Sequence, residues 1–128
     1  MTRQFIFDQA VQSELRDAKG AFLRRVVSPW KSALGLQTAF DTGCGVGYFS
    51  GVLQELGLRV AAADGRAENV AEARERYPSI DFRVADAESA SPDLGTFDLV
   101  LCFGLLYHLE NPLRAMRNLR ALTGKILL

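Results

Sequence analysis

The chain has 128 residues, 48% of them hydrophobic, with fifteen basic and fifteen acidic side chains. Such a length predicts one domain with a modest core, and such a composition excludes a disordered chain. Balanced charge argues against a nucleic-acid partner held through phosphates, which needs a basic surplus, and no apolar run approaches the ~18 residues of a membrane span.

The start, Met1-Thr2-Arg3-Gln4, lacks the long apolar stretch and small-residue cleavage site of a secretory signal, so a cytoplasmic setting with no membrane partner is expected. From about Asp8 to Arg25, residues Ala10, Val11, Leu15, Ala18, Phe22 and Leu23 recur at three- and four-residue spacing. This predicts an amphipathic helix. Ser28-Pro29 reads as an N-cap followed by a first-position proline, opening a second short helix from Trp30 to Leu34 that stops at Gly35. These helices, residues 1–36, are expected to cover the core formed by residues 37–128. A lid role for Phe5, Phe7 and Trp30 is the rival reading.

From Thr38 the texture alternates. Strands are predicted at Thr38 to Asp41, Leu58 to Ala63, Asp81 to Ala85 and Phe97 to Phe103, and a last one begins at Lys125. Between them, helices are predicted at Tyr48 to Leu56, stopped by Gly57, and at Ala67 to Tyr77, stopped by Pro78. A loop spans Ser89 to Pro92, and a helix capped by Asn111-Pro112 runs to about Leu122, with Gly124 ending it. Strands apolar on both faces, alternating with helices, call for a parallel sheet covered on both sides. Right-handed crossovers make it an α/β, Rossmann-like doubly wound sheet, and ligands of such sheets sit at the carboxyl ends of the strands.

The chemistry is therefore sought at those strand ends. The first runs into Asp41-Thr42-Gly43-Cys44-Gly45-Val46-Gly47. Glycines there allow a sharp turn and a close ligand approach, and leave the next helix's N–H groups facing the ligand. The dinucleotide fingerprint G-x-G-x-x-G would need glycine where Tyr48 stands. Asp41 would repel a pyrophosphate yet tolerate a sulfonium bearing an amino group, or accept hydrogen bonds from loop N–H groups. This spacing favours S-adenosylmethionine over a nicotinamide dinucleotide. Asp64 closes the second strand, where a carboxylate can accept both ribose hydroxyls. Asp86 closes the third, placed to accept from an adenine amino group while the Ala87 N–H meets a ring nitrogen.

The order Asp41-x-Gly43-x-Gly45-x-Gly47, Asp64, Asp86 and Phe97-Asp98-Leu99-Val100-Leu101-Cys102 resembles class I S-adenosylmethionine-dependent methyltransferases. The following Phe103-Gly104-Leu105-Leu106-Tyr107-His108-Leu109-Glu110-Asn111-Pro112 resembles their small-molecule members. The resemblance runs from about Phe40 to Leu128. It implies that Asp41, Gly43, Cys44, Gly45 and Gly47 cradle the methionine portion of the cofactor, with Asp64 on the ribose and Asp86 and Ala87 on the adenine. Phe103 joins the cofactor-binding set, and Tyr107 and His108 line the acceptor, although both aromatics also fit a core. His108, the single histidine, is the candidate base for an oxygen or nitrogen acceptor. Asp98 is expected to support the fold.

Family members usually continue past the fifth strand, whereas this chain stops at Lys125-Ile126-Leu127-Leu128. A C-terminal truncation is therefore expected, leaving an apolar strand at a sheet edge. Pairing of that edge in trans would give a homodimer. The expected activity is methyl transfer from S-adenosylmethionine to a small-molecule acceptor. A non-catalytic cofactor-binding module and an NAD(P)-dependent oxidoreductase are the alternatives. The two cysteines, Cys44 and Cys102, are too few for a zinc set and are expected to be free thiols, so no metal is expected.

Overall fold

Strands that are apolar on both faces can bury both only beneath helices, and short connections then force those helices to alternate between strands. The computed structural model describes residues 10–89 and 92–128. Its elements run α1 (Ala10–Leu34), β1 (Thr38–Thr42), α2 (Tyr48–Glu55), β2 (Arg59–Asp64), α3 (Ala67–Arg76), β3 (Asp81–Val84), β4 (Phe97–Leu101), α4 (Pro112–Leu122) and β5 (Thr123–Leu127). Single 3-10 turns occupy Pro92–Leu94 and Leu106–His108. The strands form one sheet in the order β3-β2-β1-β4-β5. Every neighbouring pair is parallel, with Thr38 to Thr42 of β1 opposite Arg59 to Ala63 of β2. The expected doubly wound sheet is thus observed, and its strand order reverses between β1 and β4.

One face of the sheet packs Ala39, Val60, Ala62, Phe82, Leu99 and Leu101 against Leu23 and Val27 of α1, Val52 and Leu53 of α2, and Val70 and Ala73 of α3. The opposite face sets Phe40, Ala63 and Val100 against Leu119 of α4. Burial on both faces holds for β1 but not at the edges. Only Phe82 of β3 is buried, and no residue of β5 is. Among the described residues no helix is long and apolar enough to cross a membrane.

The expected break at Ser28-Pro29 is absent, because α1 runs through Pro29 without interruption. Proline removes the bond to the Arg25 carbonyl, a loss of ~3 kcal/mol in a helix interior. Ser28 and Pro29 are exposed, so water can reach that carbonyl. Meanwhile Leu23, Val27 and Trp30 keep one apolar stripe against the core on both sides of the proline. Gly35 does end the helix, with the Leu36 N–H donating to the Lys31 carbonyl at 3.0 Å. Asn111 caps α4 as expected: its side chain accepts from the Arg114 N–H at 3.0 Å, ahead of Pro112. Gly124, in contrast, is not a helix stop. Thr123 is already extended, and Gly124 lies inside β5. A Cβ there would come within 3.1 Å of the Phe97 carbonyl, beside the irregularity between Phe97 and Leu99. Any side chain there would have to push the Phe97 backbone back by a few tenths of an ångström.

The course of α1 decides between cover and lid for its own residues. Its early turns meet the start of α2: Arg16 lies over the Tyr48 ring at 4.6 Å, and a Cβ on Gly20 would come within 2.8 Å of the Tyr48 hydroxyl. Its last turns meet the other end of the sheet, where Lys31 abuts Gly57 just ahead of β2. Trp30 belongs to those last turns and packs on the core, so it is part of the cover and no lid over the strand ends. Phe5 and Phe7 lie outside the described residues.

Candidate functional site

The reversal of strand order brings the carboxyl ends of β1 and β4 side by side, with those of β2 and β3 next to them. The loop leaving β1 carries left-handed backbone at Gly43 (φ 65°), Gly45 (φ 56°) and Gly47 (φ 93°). At two of these positions packing adds to the conformational demand. A Cβ on Gly43 would come within 2.9 Å of Leu105 Cδ1, and one on Gly47 within 2.9 Å of Phe82 Cζ. A side chain at either turn is strained by the left-handed backbone and displaces its neighbour as well.

Asp41 is 2% exposed. Its place in β1 aims it at the α2 face, and Ser50 Oγ of α2 donates to its Oδ2 at 2.7 Å. Burial pushes its carboxyl up to about 7; the Ser50 hydrogen bond opposes this and the Asp64 charge adds to it. The expectation that Asp41 accepts from the loop N–H groups is therefore corrected. The Gly45 N–H donates instead to Asp64 Oδ2, at 2.9 Å.

Asp64 links two loops. Besides Gly45, its carboxylate accepts at Oδ1 from the Arg66 N–H at 2.9 Å and from Asn69 Nδ2 at 3.1 Å. One residue earlier, the Ala63 carbonyl accepts from the Cys44 N–H at 2.9 Å. The Cys44 thiol is buried and donates to the Gly45 carbonyl at 3.6 Å, and burial pushes its pKa far up. A thiol so protonated is packing and not a nucleophile. Both cysteines are free.

At the end of β3 the chain folds into a tight turn. The Glu88 N–H donates to Asp86 Oδ1 at 2.9 Å, and the Ser89 N–H to the Asp86 carbonyl at 3.0 Å. Asn118 Nδ2 of α4 donates to the Ala87 carbonyl at 2.9 Å.

Beyond β4, Leu105 lies over Gly43 and so brings the Leu106–His108 turn to the same edge. Tyr107 is 76% exposed, its ring centroid 4.3 Å from that of the exposed His108. Phe103 is half-buried and meets Phe49 of α2 edge-on at 5.3 Å. Asp98 serves the fold as expected: its Oδ2 accepts from the Gln37 and Thr38 N–H groups at 2.7 and 3.1 Å. These bonds, the Gln37 one foremost, hold its carboxyl below the usual carboxylate range.

The structure thus connects Asp41, Gly43, Cys44, Gly45, Gly47 and Asp64 directly. Asp86 and Ala87 sit one strand further out, and Phe103, Tyr107 and His108 come in from β4. Four residues that hold these groups were not singled out in the sequence: Ser50, Asn69, Leu105 and Asn118. Ser50 and Asn69 did leave a signal, as polar residues that interrupt the inward faces of α2 and α3.

Comparison with known proteins converges on one family. A family described as a methyltransferase domain matches residues 40–125. The ubiquinone biosynthesis O-methyltransferase of Xanthomonas campestris pv. campestris (strain B100) is 38% identical over 82 residues, covering 60% of this chain and 34% of that protein. The chain therefore spans about a third of the length of that relative. Among solved structures, the magnesium protoporphyrin IX methyltransferase of Synechocystis PCC 6803, crystallised with bound SAM, superposes with a TM-score of 0.71. Its identity is 25%, over 99% of this chain and 64% of that one. An amino pentose methyltransferase from Micromonospora echinaspora shares the fold, with a TM-score of 0.75 at 19% identity over 95% of this chain and 55% of that one. The parallel five-stranded sheet with its covering helices agrees with these matches, and the chain belongs to the class I S-adenosylmethionine-dependent methyltransferases.

Proposed function

We propose that this chain binds S-adenosylmethionine along the carboxyl ends of β1, β2 and β3 and directs its methyl group to the hydroxyl of a small-molecule acceptor. One observation carries the cofactor reading: the Asp64 carboxylate is fixed by three donors beside a glycine loop with left-handed backbone. A carboxylate held in this way is a ready acceptor for one ribose hydroxyl, through the lone-pair direction still open on Oδ2. A Cβ on neighbouring Gly65 would meet nothing within 4 Å, which leaves room for a sugar. Asp86 Oδ2 and the Ala87 N–H offer an acceptor and a donor in the pattern that adenine requires. The Gly43–Gly47 loop takes the methionine end, with Asp41 as a buried carboxylate behind it, and Phe103 closes the side nearest β4.

The cofactor supplies a methyl group already activated by its sulfonium, so positioning of the acceptor is the chain's main task. Tyr107 and His108 stand at the edge where the acceptor would enter, and His108 takes the hydroxyl proton as the oxygen is methylated. Support for a hydroxyl acceptor comes from the relatives named as O-methyltransferases. The proposed setting is the cytoplasm. Pairing of two copies through β5, the sheet's edge strand, is proposed as well, and light scattering tests it: a monomer at high concentration removes that part.

Calorimetric titration of the wild type and Asp64→Ala with S-adenosylmethionine and with NAD tests the cofactor reading. Selective binding of S-adenosylmethionine, weakened by ~1–3 kcal/mol in Asp64→Ala, is expected for loss of a charged acceptor. Binding of NAD alone, or of neither ligand, refutes it. Cofactor binding without turnover across a panel of hydroxyl acceptors would reduce the chain to a binding module.

A further inference from the structure

We infer that α4 sets the adenine selectivity of this site, with Asn118 and Glu88 as positioning residues that hold the Asp86–Ser89 turn in its reading geometry. The inference deepens the proposed function and rests on its cofactor reading. Three bonds define the turn, and one of them engages a reading group itself, the Asp86 carboxylate. The Asp86 carbonyl is drawn inward to the Ser89 N–H at 3.0 Å. In a trans peptide the N–H points opposite to the carbonyl, and no peptide among the described residues is cis. The Ala87 N–H is therefore turned outward. Asp86 Oδ1 is engaged by the Glu88 N–H at 2.9 Å, which fixes the carboxylate plane and leaves Oδ2 for a ligand. The third bond is the one from Asn118 Nδ2 to the Ala87 carbonyl, at 2.9 Å.

The space between the turn and α4 is a small cavity whose walls include Phe40, Thr42, Ala63, Leu94 and Leu122. With β3 ending at Val84, the turn is tied down by two polar bonds from α4. One is the Asn118 amide. The other joins Glu88 Oε1 to the Asn111 N–H, at 2.6 Å, at the N-cap of the same helix. A turn backed by a cavity can relax once these bonds go, and the first property lost is the angle between Asp86 Oδ2 and the Ala87 N–H. That acceptor–donor pair fits adenine, which presents an amino donor beside a ring-nitrogen acceptor. It clashes with hypoxanthine, which presents a carbonyl beside a ring N–H.

The test is calorimetric affinity for S-adenosylhomocysteine and for S-inosylhomocysteine in the wild type, Asn118→Leu and Glu88→Ala, with far-UV circular dichroism to show that each variant folds. Asn118→Leu keeps the side-chain volume and removes the donor. Glu88→Ala touches a partly exposed residue and serves if Asn118→Leu does not fold. The wild type should prefer the adenine ligand. Each folded variant should lose about three- to tenfold in affinity for it and little for the hypoxanthine ligand, so that the preference itself shrinks. A merely structural role would weaken both ligands equally. A folded variant that keeps the full preference overturns the inference while the cofactor reading stands. A wild type that binds neither ligand overturns both.

Discussion

Replacing Asp41 by Asn should remove a pH dependence of stability that the buried carboxyl imposes. Its folded-state pKa is raised from 3.8 to about 7, with burial as the main cause. The folded chain therefore holds a proton that the unfolded chain has released throughout that window. The stability that Asp41 contributes is greatest below pH 4 and falls as pH rises toward 7, the reverse of the usual paired carboxylate. At about 1.4 kcal/mol per pH unit, the window is worth about 4 kcal/mol. Of the groups facing Asp41, Ser50 donates to it at 2.7 Å and narrows the window, the Asp64 charge disfavours its ionisation and widens it, and the Cys44 thiol stays neutral.

In Asp41→Asn the carboxamide oxygen still accepts from Ser50, but its NH2 enters the core with no acceptor, at ~1–3 kcal/mol. The variant should then be the less stable protein at pH 4 and the more stable one at pH 8, the two curves crossing in between. Urea unfolding at half-unit steps from pH 4 to 8 measures this. The difference between the two proteins cancels the carboxylates they share, including Asp98, whose lowered pKa acts in the opposite direction as pH falls. Parallel curves would refute the reasoning and place Asp41 in contact with water or a cation.

Gly43→Ala combines a left-handed backbone (φ 65°) with a Cβ 2.9 Å from Leu105 Cδ1. It should cost ~1–2 kcal/mol of stability and more than that in cofactor affinity, since the flexible Leu105 side chain can shift but the loop cannot. Calorimetry and urea unfolding on one preparation separate the two losses, and equal losses would deny the loop its ligand role. Asn111→Ala removes the cap on Arg114 and should cost ~1 kcal/mol in urea unfolding; an unchanged midpoint would show that the cap is not stabilising. His108→Ala should lower kcat about 100-fold with little change in KM, followed as S-adenosylhomocysteine release with a phenolic acceptor. An unchanged kcat would make this residue a surface histidine.

The alternation from Thr38 onward was legible because its strands are short, apolar and bounded by Gly or Pro, and each boundary fell within two residues of the observed one. The line of Asp41, the glycines, Asp64 and Asp86 was legible too, since strand ends at a reversal of order are fixed by topology. Two features went unread for physical reasons. Pro29 signals a helix start by local chemistry, but a stripe of Leu23, Val27 and Trp30 on the core outweighed it. Gly124 signals a helix stop, but its use is a close approach to the Phe97 carbonyl of a strand 27 residues earlier in the chain. Asn118 could not be placed at all, because its partner at Ala87 is 31 residues away on another element.

Asp64 shows how fold and site draw on the same atoms. A carboxylate offers about four lone-pair directions, and three are already taken by Gly45, Arg66 and Asn69. Only one remains, on Oδ2, for a ribose that carries two hydroxyls. The bidentate grip expected from sequence is therefore available only if a present donor yields. The Arg66 N–H belongs to the turn that starts α3, and Gly45 ties the glycine loop to β2, so Asn69 is the partner whose loss disturbs least. The carboxylate is held in place by the fold, and the cofactor need not order it on binding. For the same reason Asp64→Ala removes more than a ligand contact, because it also releases the glycine loop from β2. Selectivity between S-adenosylmethionine and NAD, and not affinity alone, therefore identifies the ligand, since a loosened loop weakens every nucleoside alike.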